Sequence, residues 1–76
     1  MKATKENIEM AVNETRGYFK VYASGRDKWT GMPFITLVGN RVQLEAFCKL
    51  HGLTAVYMDA SIFDNVNAYA TIPLEE

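Results

Sequence analysis

A capped amphipathic helix followed by two alternating segments occurs twice along this chain. Thr4 is a good N-cap for a helix predicted over residues 5–16, and Gly17 supplies the left-handed residue that often ends helices. Asn40 begins a variant capping box for a second helix, which is predicted to stop at Gly52. In each helix the apolar residues recur at the i, i+3, i+4, i+7 spacing of one buried stripe. The chain must therefore supply a surface that covers two such stripes.

The segments after each helix alternate aromatic, β-branched and polar residues, which is typical of strands. The predicted strands span residues 18–23, 34–38, 53–58 and 66–72. The order α-β-β-α-β-β predicts a two-layer α/β (α+β) fold with a four-stranded, mainly antiparallel sheet and both helices on one face. With 76 residues the chain has room for a single domain over residues 1–76.

The two halves, approximately residues 4–38 and 40–73, suggest an internal pseudo-twofold repeat. An offset of 35 residues aligns five identical pairs, namely Ala11 with Ala46, Gly17 with Gly52, Val21 with Val56, Tyr22 with Tyr57 and Thr36 with Thr71. This is only about twice the number expected by chance, so the repeat stays a hypothesis. The same offset assigns matching faces to the strands of both hairpins, because a slip of one residue would invert every side chain.

This parity divides the sheet into a face that the helices cover and a face that nothing in the chain covers. The predicted helix-covered face carries Phe19, Val21, Ile35, Leu37, Thr54, Val56, Met58, Ala68, Ala70 and Ile72. The predicted uncovered face carries Tyr18, Lys20, Tyr22, Phe34, Thr36, Val38, Leu53, Ala55, Tyr57, Tyr69 and Thr71. Five aromatic rings on an uncovered surface indicate a binding face, because small monomers rarely leave so much apolar area in water.

The predicted partner-binding residues are the aromatic and basic residues of that face together with the only tryptophan. They are Tyr18, Lys20, Tyr22, Trp29, Phe34, Tyr57 and Tyr69. Trp29 lies in a segment rich in glycine and charge, where it is either an exposed binding residue or a lid folded over the sheet edge. Ile62 and Phe63, in the loop of the second hairpin, are expected to cap one end of the core.

Catalytic and cofactor-binding patterns are weak in this sequence. Cys48 and His51 are three residues apart on a helix, which would allow a thiol and an imidazole to touch, but no third group is placed to orient them. We interpret Cys48 as a small buried hydrophobe and His51 as a residue that caps the helix. The pair is too few ligands for zinc, and the glycines match no phosphate-binding loop. We expect no enzyme activity, no metal and no cofactor.

Charge and cysteine content bear on partners and compartment. The formal net charge is −1, but residues 16–49 carry six basic against two acidic side chains, and residues 52–76 carry four acidic and no basic ones. Neither a strongly basic nucleic-acid binder nor an acidic mimic fits this balance. A single cysteine predicts a reducing compartment, and we expect the cytoplasm. The first 13 residues lack the apolar run of a signal peptide, and no apolar stretch reaches membrane-spanning length, so no membrane association is expected.

These observations favour a protein-binding module that acts through its uncovered sheet face, either on a partner or on itself as a homodimer. The alternative is a single-stranded nucleic-acid binder that uses stacked tyrosines. Residues 16–22 are similar to the aromatic strand of RNA-recognition motifs, although Lys20 stands where that family has an aromatic residue and the order of elements differs. A further hypothesis, which no motif carries, is a viral product from a phage or mobile element that acts as an inhibitor or modulator of a host enzyme.

Overall fold

The computed structural model has two helices on one side of a four-stranded antiparallel sheet, in the order α-β-β-α-β-β. This confirms the predicted fold class. The structure describes the backbone of residues 1–61 and 64–75 and the side chains of residues 1–58 and 66–75. The predicted cap at Ile62 and Phe63 lies outside the described residues. The elements are α1 (Lys5–Glu14), β1 (Phe19–Arg26), β2 (Pro33–Asn40), α2 (Arg41–Leu50), β3 (Val56–Ser61) and β4 (Asp64–Pro73).

Both helices begin at the predicted N-caps. The Thr4 side chain accepts a hydrogen bond from the backbone N–H of Asn7 at 3.2 Å, and Asn40 Oδ1 accepts one from the N–H of Gln43 at 3.1 Å. Each bond satisfies a backbone donor that has no partner inside the helix. Local sequence is therefore sufficient to set where each helix starts.

The end of α1 differs from the prediction. The helix stops at Glu14, two residues earlier than expected, and the Thr15 hydroxyl donates to the carbonyl oxygen of Val12 at 2.6 Å. Arg16 then takes a left-handed conformation with φ of 56°, and Gly17 follows with φ of 95°. The chain therefore leaves the helix over two left-handed residues, of which only the glycine was expected.

The strands pair in the order β1-β2-β4-β3, so that the second strands of the two hairpins meet at the centre of the sheet. The first hairpin is longer than predicted because residues 24–26 pair with residues 33–35. Its loop shrinks from the predicted residues 24–32 to residues 27–32. How far the two strands of a hairpin stay paired depends on contacts between them, which alternation within either strand does not reveal.

A local twofold relationship exists at the centre of the sheet. Thr36 of β2 lies directly opposite Thr71 of β4, the residue that the 35-residue offset assigns as its counterpart. The helices follow a different offset, because α1 and α2 start 36 residues apart, at Lys5 and Arg41. The two halves therefore share the same order of elements. Their helices are related by 36 residues and their central strands by 35, a difference of one residue.

One hydrophobic core lies between the helices and the sheet and draws on both halves of the chain. The helices contribute three residues of each predicted stripe, Ile8, Ala11 and Val12 from α1 and Leu44, Phe47 and Cys48 from α2. The fourth predicted residues, Thr15 and His51, are only partly buried. The sheet contributes Phe19, Ile35, Leu37, Ala70 and Ile72. The faces predicted for β1, β2 and β4 are thus confirmed at these positions.

The predicted faces of the β3 segment are wrong. Tyr57 pairs with the fully buried Ala70 and so lies on the helix-covered face, whereas Met58 pairs with Tyr69 on the uncovered face. Val56, which was also expected under the helices, faces away from them. Two predicted open-face residues that precede β3, Leu53 and Ala55, are part of the core or contact it, and the predicted core residue Thr54 is exposed. The prediction applied the same 35-residue offset to every element of the chain. Because the two halves differ in phase by one residue, each side chain of β3 lies on the face opposite to the predicted one.

Candidate functional site

The face of the sheet opposite the helices is called the open face below. Because directly opposed residues of antiparallel strands share a face, the observed register defines its members. They are Lys20, Ala23, Gly25, Phe34, Thr36, Val38, Val56, Met58, Tyr69, Thr71 and Pro73. The ring contact of Tyr22 with Tyr69 adds Tyr22 to this face. Lys20, Val38, Tyr69 and Met58 form one row across all four strands.

Two tyrosines cover the middle of the open face. A β-bulge in β1 between Val21 and Ala23 leaves Tyr22 as the extra residue opposite β2. Its ring reaches over β2 to the ring of Tyr69, with centroids 4.7 Å apart and an interplanar angle of 51°. Thr36, which lies on β2 between the two tyrosine-bearing strands, is buried. The contact between the two rings contributes about 0.5–1.5 kcal/mol and spans the open face from β1 to β4.

The β3 side of the open face is an apolar strip. Val56 is 70% exposed and Met58 is 69% exposed, although both belong to a paired strand. Both residues were missed as binding candidates because the predicted phase of their strand placed them in the core. The buried stripes of α1 and α2, which match at an offset of 36 residues rather than 35, are the signal that could have revealed the error.

A groove of about 440 Å³ lies on the open face beside the loop of the first hairpin. Its apolar walls come from three separate stretches of the chain, namely Met32, Pro33 and Phe34, then Val56, then Pro73. Polar atoms reach it from Asp27, Thr30 and Thr71. A mainly apolar concavity with a few polar groups is the usual form of a recognition site.

Trp29 lies at the tip of the hairpin loop, residues 27–32, and is 94% exposed. The hypothesis of a lid folded over the sheet edge is therefore wrong. Asp27 Oδ1 accepts hydrogen bonds from the backbone N–H groups of Trp29 at 2.8 Å and Thr30 at 3.0 Å. The Arg26 guanidinium donates to the carbonyl oxygen of Gly31 at 2.8 Å. The loop thus holds its tryptophan outward on a hydrogen-bonded backbone.

The hairpin loop also lowers the pKa of the Asp27 carboxyl group. The backbone N–H groups of Thr30 and Trp29 stabilise its charged form and lower the pKa of Asp27 below the ordinary 3.8. Asp27 is therefore ionised at neutral pH, and it lines the groove as a negative charge.

Tyr57, predicted as a partner-binding residue, lies instead beneath α2. The Arg41 guanidinium carbon lies 6.0 Å from the centroid of its ring, and the side chain packs against the hydrophobic core. Burial raises the pKa of Tyr57 well above the ordinary 10.0, and the hydrogen bond with Cys48 raises it further. The residue fastens the edge strand β3 to the helix layer and does not face outward.

The remaining predicted site residues divide between the open face and its surroundings. Lys20, Tyr22, Phe34 and Tyr69 lie together on the open face, and Trp29 stands at the loop beside it. Tyr18 precedes β1 and lines a hollow beside the end of α1 and the start of α2. Met32 belongs to the groove but was missed, because its position in a loop carried no periodic signal.

The Cys48 and His51 pair is not arranged as a nucleophile and its base. Burial raises the pKa of the Cys48 thiol above the ordinary 9.0, and the hydrogen bond from Tyr57 opposes that rise only in part. The His51 ring instead contacts the ring of Phe47, with centroids 4.6 Å apart. A neutral thiol is a poor nucleophile. Among the residues that the structure describes, no three His, Cys, Asp or Glu side chains come together as a metal site would require.

Comparison with known proteins finds no matching family model, no matching curated protein and no matching solved structure. Within the described part of the chain, neither helix has the length and apolar character needed to cross a membrane.

Proposed function

We propose that the protein is a non-enzymatic binding module that docks its open face on a protein surface. The observation that carries this proposal is the apolar strip of Val56 and Met58, which stays about 70% exposed beside a groove and an outward tryptophan. Full burial of such a side chain contributes about 1.5–3 kcal/mol, whereas an exposed ion pair contributes about 0–1 kcal/mol. Apolar contact therefore dominates what this face offers a partner.

The rings and charges of the face favour a protein over a single-stranded nucleic acid. Of the four tyrosines considered as stacking platforms, only Tyr22 and Tyr69 share the open face, and their rings are tilted against each other. Lys20 is the one cation on the described strands of this face, and the groove carries the negative Asp27. Binding a polyanion depends on several cations, so this arrangement supports a protein partner.

The setting that fits this proposal is a reducing compartment such as the cytoplasm. Cys48 is unpaired and buried, as expected of a thiol that serves as a core residue.

Site-specific photo-crosslinking tests the proposal. A benzophenone amino acid is placed at Met58 on the open face or at Val42 on the outer surface of α2, which is 75% exposed. We expect discrete protein adducts in cells from position 58 and none of comparable yield from position 42. Equal yields from the two positions would contradict the proposal, because they would indicate random encounters.

A further inference from the structure

We infer that the groove end of the open face pairs with a second copy of this chain, and that Trp29 of each copy occupies the groove of the other. This rests on the proposed function, because the groove is part of the open face, and it names the partner at that end. The two complementary features, a protruding tryptophan and an apolar groove, are both present on every copy.

Trp29 is presented in a way that suits insertion into another molecule. The loop hydrogen bonds to Asp27 fix the backbone at Trp29 and Thr30, and the Trp29 side chain remains exposed. A tryptophan on an ordered backbone loses little conformational entropy when it binds, and tryptophan is among the residues most enriched at binding hot spots. The loop therefore holds Trp29 in a position from which its side chain can enter the groove of another molecule.

The groove matches the chemistry of an indole ring. Its volume of about 440 Å³ lies within the range of about 300–1,000 Å³ of clefts that take drug-sized ligands, so an indole ring has room to enter. Met32, Phe34 and Val56 provide apolar walls for the ring. A buried indole N–H needs an acceptor, and Thr30 and Thr71 line the groove. Each hydroxyl already has one hydrogen-bond partner, Met32 and Thr36 respectively, and its oxygen can accept a second bond.

Charge is also self-complementary across such a pair. Lys28 precedes Trp29 directly in the loop, and Asp27 lines the groove that would receive the partner's tryptophan. Entry of Trp29 therefore brings the loop segment that carries Lys28 to the groove that Asp27 lines in the other copy. The hydrogen bonds that keep Asp27 ionised preserve this attraction at neutral pH.

The position of the two features favours a closed dimer over a chain of molecules. Asp27, Thr30 and Met32 of the hairpin loop also line the groove, so the tryptophan and the groove of one copy are neighbours. A twofold axis close to the loop can then satisfy both exchanges at once. Features on opposite sides of the molecule would instead produce open filaments.

The area involved predicts a weak, reversible dimer. A buried tryptophan removes about 150–250 Å² from water, so two exchanges with their groove walls cover roughly 600–1,000 Å² in total. This lies below the approximately 1,200–2,000 Å² of stable interfaces and in the range of transient ones. We expect a dissociation constant between about 10 μM and 1 mM.

Intrinsic fluorescence and sedimentation equilibrium test the inference together, because Trp29 is the only tryptophan. Over a series from about 1 μM to 2 mM, we expect the mass to rise from monomer to dimer. We expect the emission to shift to shorter wavelength over the same range. A monomer at every concentration with unchanged emission would overturn the inference.

Matched variants locate the interface. Val56→Glu places a charge in the groove wall and Val42→Glu places one on α2, at positions that are 70% and 75% exposed. We expect Val56→Glu to stay monomeric with emission independent of concentration, and Val42→Glu to dimerise like the wild type. Trp29→Ala, which alters no core residue, should weaken dimerisation by about 30-fold or more. A dimer that persists in both Val56→Glu and Trp29→Ala would place self-association elsewhere and overturn the inference.

Failure of this inference differs from failure of the proposed function. A strictly monomeric chain that still gives adducts with other proteins from position 58 refutes only the second copy as partner. A chain that gives neither adducts nor dimers refutes both.

Discussion

Thr36 and Thr71 lie directly opposite each other on the two central strands, and their Oγ1 atoms are 3.1 Å apart. The two residues occupy equivalent places in the two halves of the chain. Their hydrogen bond therefore links the two hairpins at the point where the central strands are related by local twofold symmetry. Thr36 is buried, which makes the bond a structural link rather than a surface contact.

Removing one hydroxyl of this pair is expected to cost more than removing both. Thr36→Val leaves Thr71 without its partner and should reduce the free energy of unfolding by about 0.5–1.5 kcal/mol. The double variant Thr36→Val/Thr71→Val should recover most of that loss, because two β-branched apolar residues pair well across strands. Urea unfolding of the four proteins of the cycle measures the coupling. Strictly additive losses would show that the hydroxyls do not interact.

Gly39 is expected to tolerate no side chain. A Cβ at this position would lie 2.7 Å from Cδ1 of the Phe19 ring and 3.0 Å from the carbonyl oxygen of Tyr18. Gly39→Ala should therefore reduce the free energy of unfolding by about 1–3 kcal/mol. Gly25→Ala is the control, because a Cβ there would meet no atom within 4 Å, and we expect a change within about 0.5 kcal/mol. Equal stability of the two variants in urea would contradict the close contact at Gly39.

Tyr57 is expected to make stability decline at alkaline pH. Its pKa is raised in the folded protein, so the stabilisation is fully present below the ordinary pKa of 10.0 and is lost as the pH rises toward the folded value. Urea unfolding from pH 8 to pH 11 should show a decline that begins near pH 9, because the pKa of Cys48 is also raised, and that steepens near pH 10, where Tyr57 adds up to about 1.4 kcal/mol per pH unit. Tyr57→Phe should lessen the decline. An unchanged slope in that variant would assign the effect to other groups.

Asp27 is expected to control the order of the tryptophan loop at low pH. Its pKa is lowered in the folded protein, so its hydrogen bonds persist above the ordinary value of 3.8 and are lost as the pH falls through the lower folded value. The amide resonances of Trp29 and Thr30 should report that titration by NMR. At pH 6, Asp27→Ala should speed hydrogen exchange at both amides, and Asp27→Asn, which keeps an acceptor oxygen, should do so less. Equal exchange in all three proteins would remove the carboxylate from its assigned role.

Local rules recover the helices of this chain but only part of the sheet. Thr4 and Asn40 carry their own capping chemistry, so the helix starts follow from neighbouring residues. The face on which each β3 side chain lies depends on which residue of β4 pairs with Tyr57. That partner is distant in the sequence, so the residues next to Tyr57 do not indicate it. A single 35-residue offset between the halves does not describe the β-bulge at Tyr22. It also does not describe the helices, which start 36 residues apart.

The candidate site follows the same division. The uncovered face and its tyrosine pair were predictable from alternation in β1, β2 and β4. The exposed Val56 and Met58 were assigned to the core because their strand was predicted in the opposite phase. For the same reason Tyr57 was wrongly predicted to lie on the uncovered face. Trp29 could not be placed from sequence, because its direction depends on hydrogen bonds within the loop.

Methyl NMR of the methionines gives the most direct test of the open face as the binding surface. Met58 lies on that face and Met32 lines its groove, whereas Met1 and Met10 line a hollow beside α1. Met10 is 63% exposed and Met58 is 69% exposed, so the two report on opposite sides with similar access to solvent. With ¹³C-methyl methionine protein in concentrated cell extract, we expect the Met32 and Met58 signals to broaden or shift while Met1 and Met10 stay sharp. Equal broadening of all four signals, or broadening confined to Met10, would contradict the assignment of the open face as the binding surface.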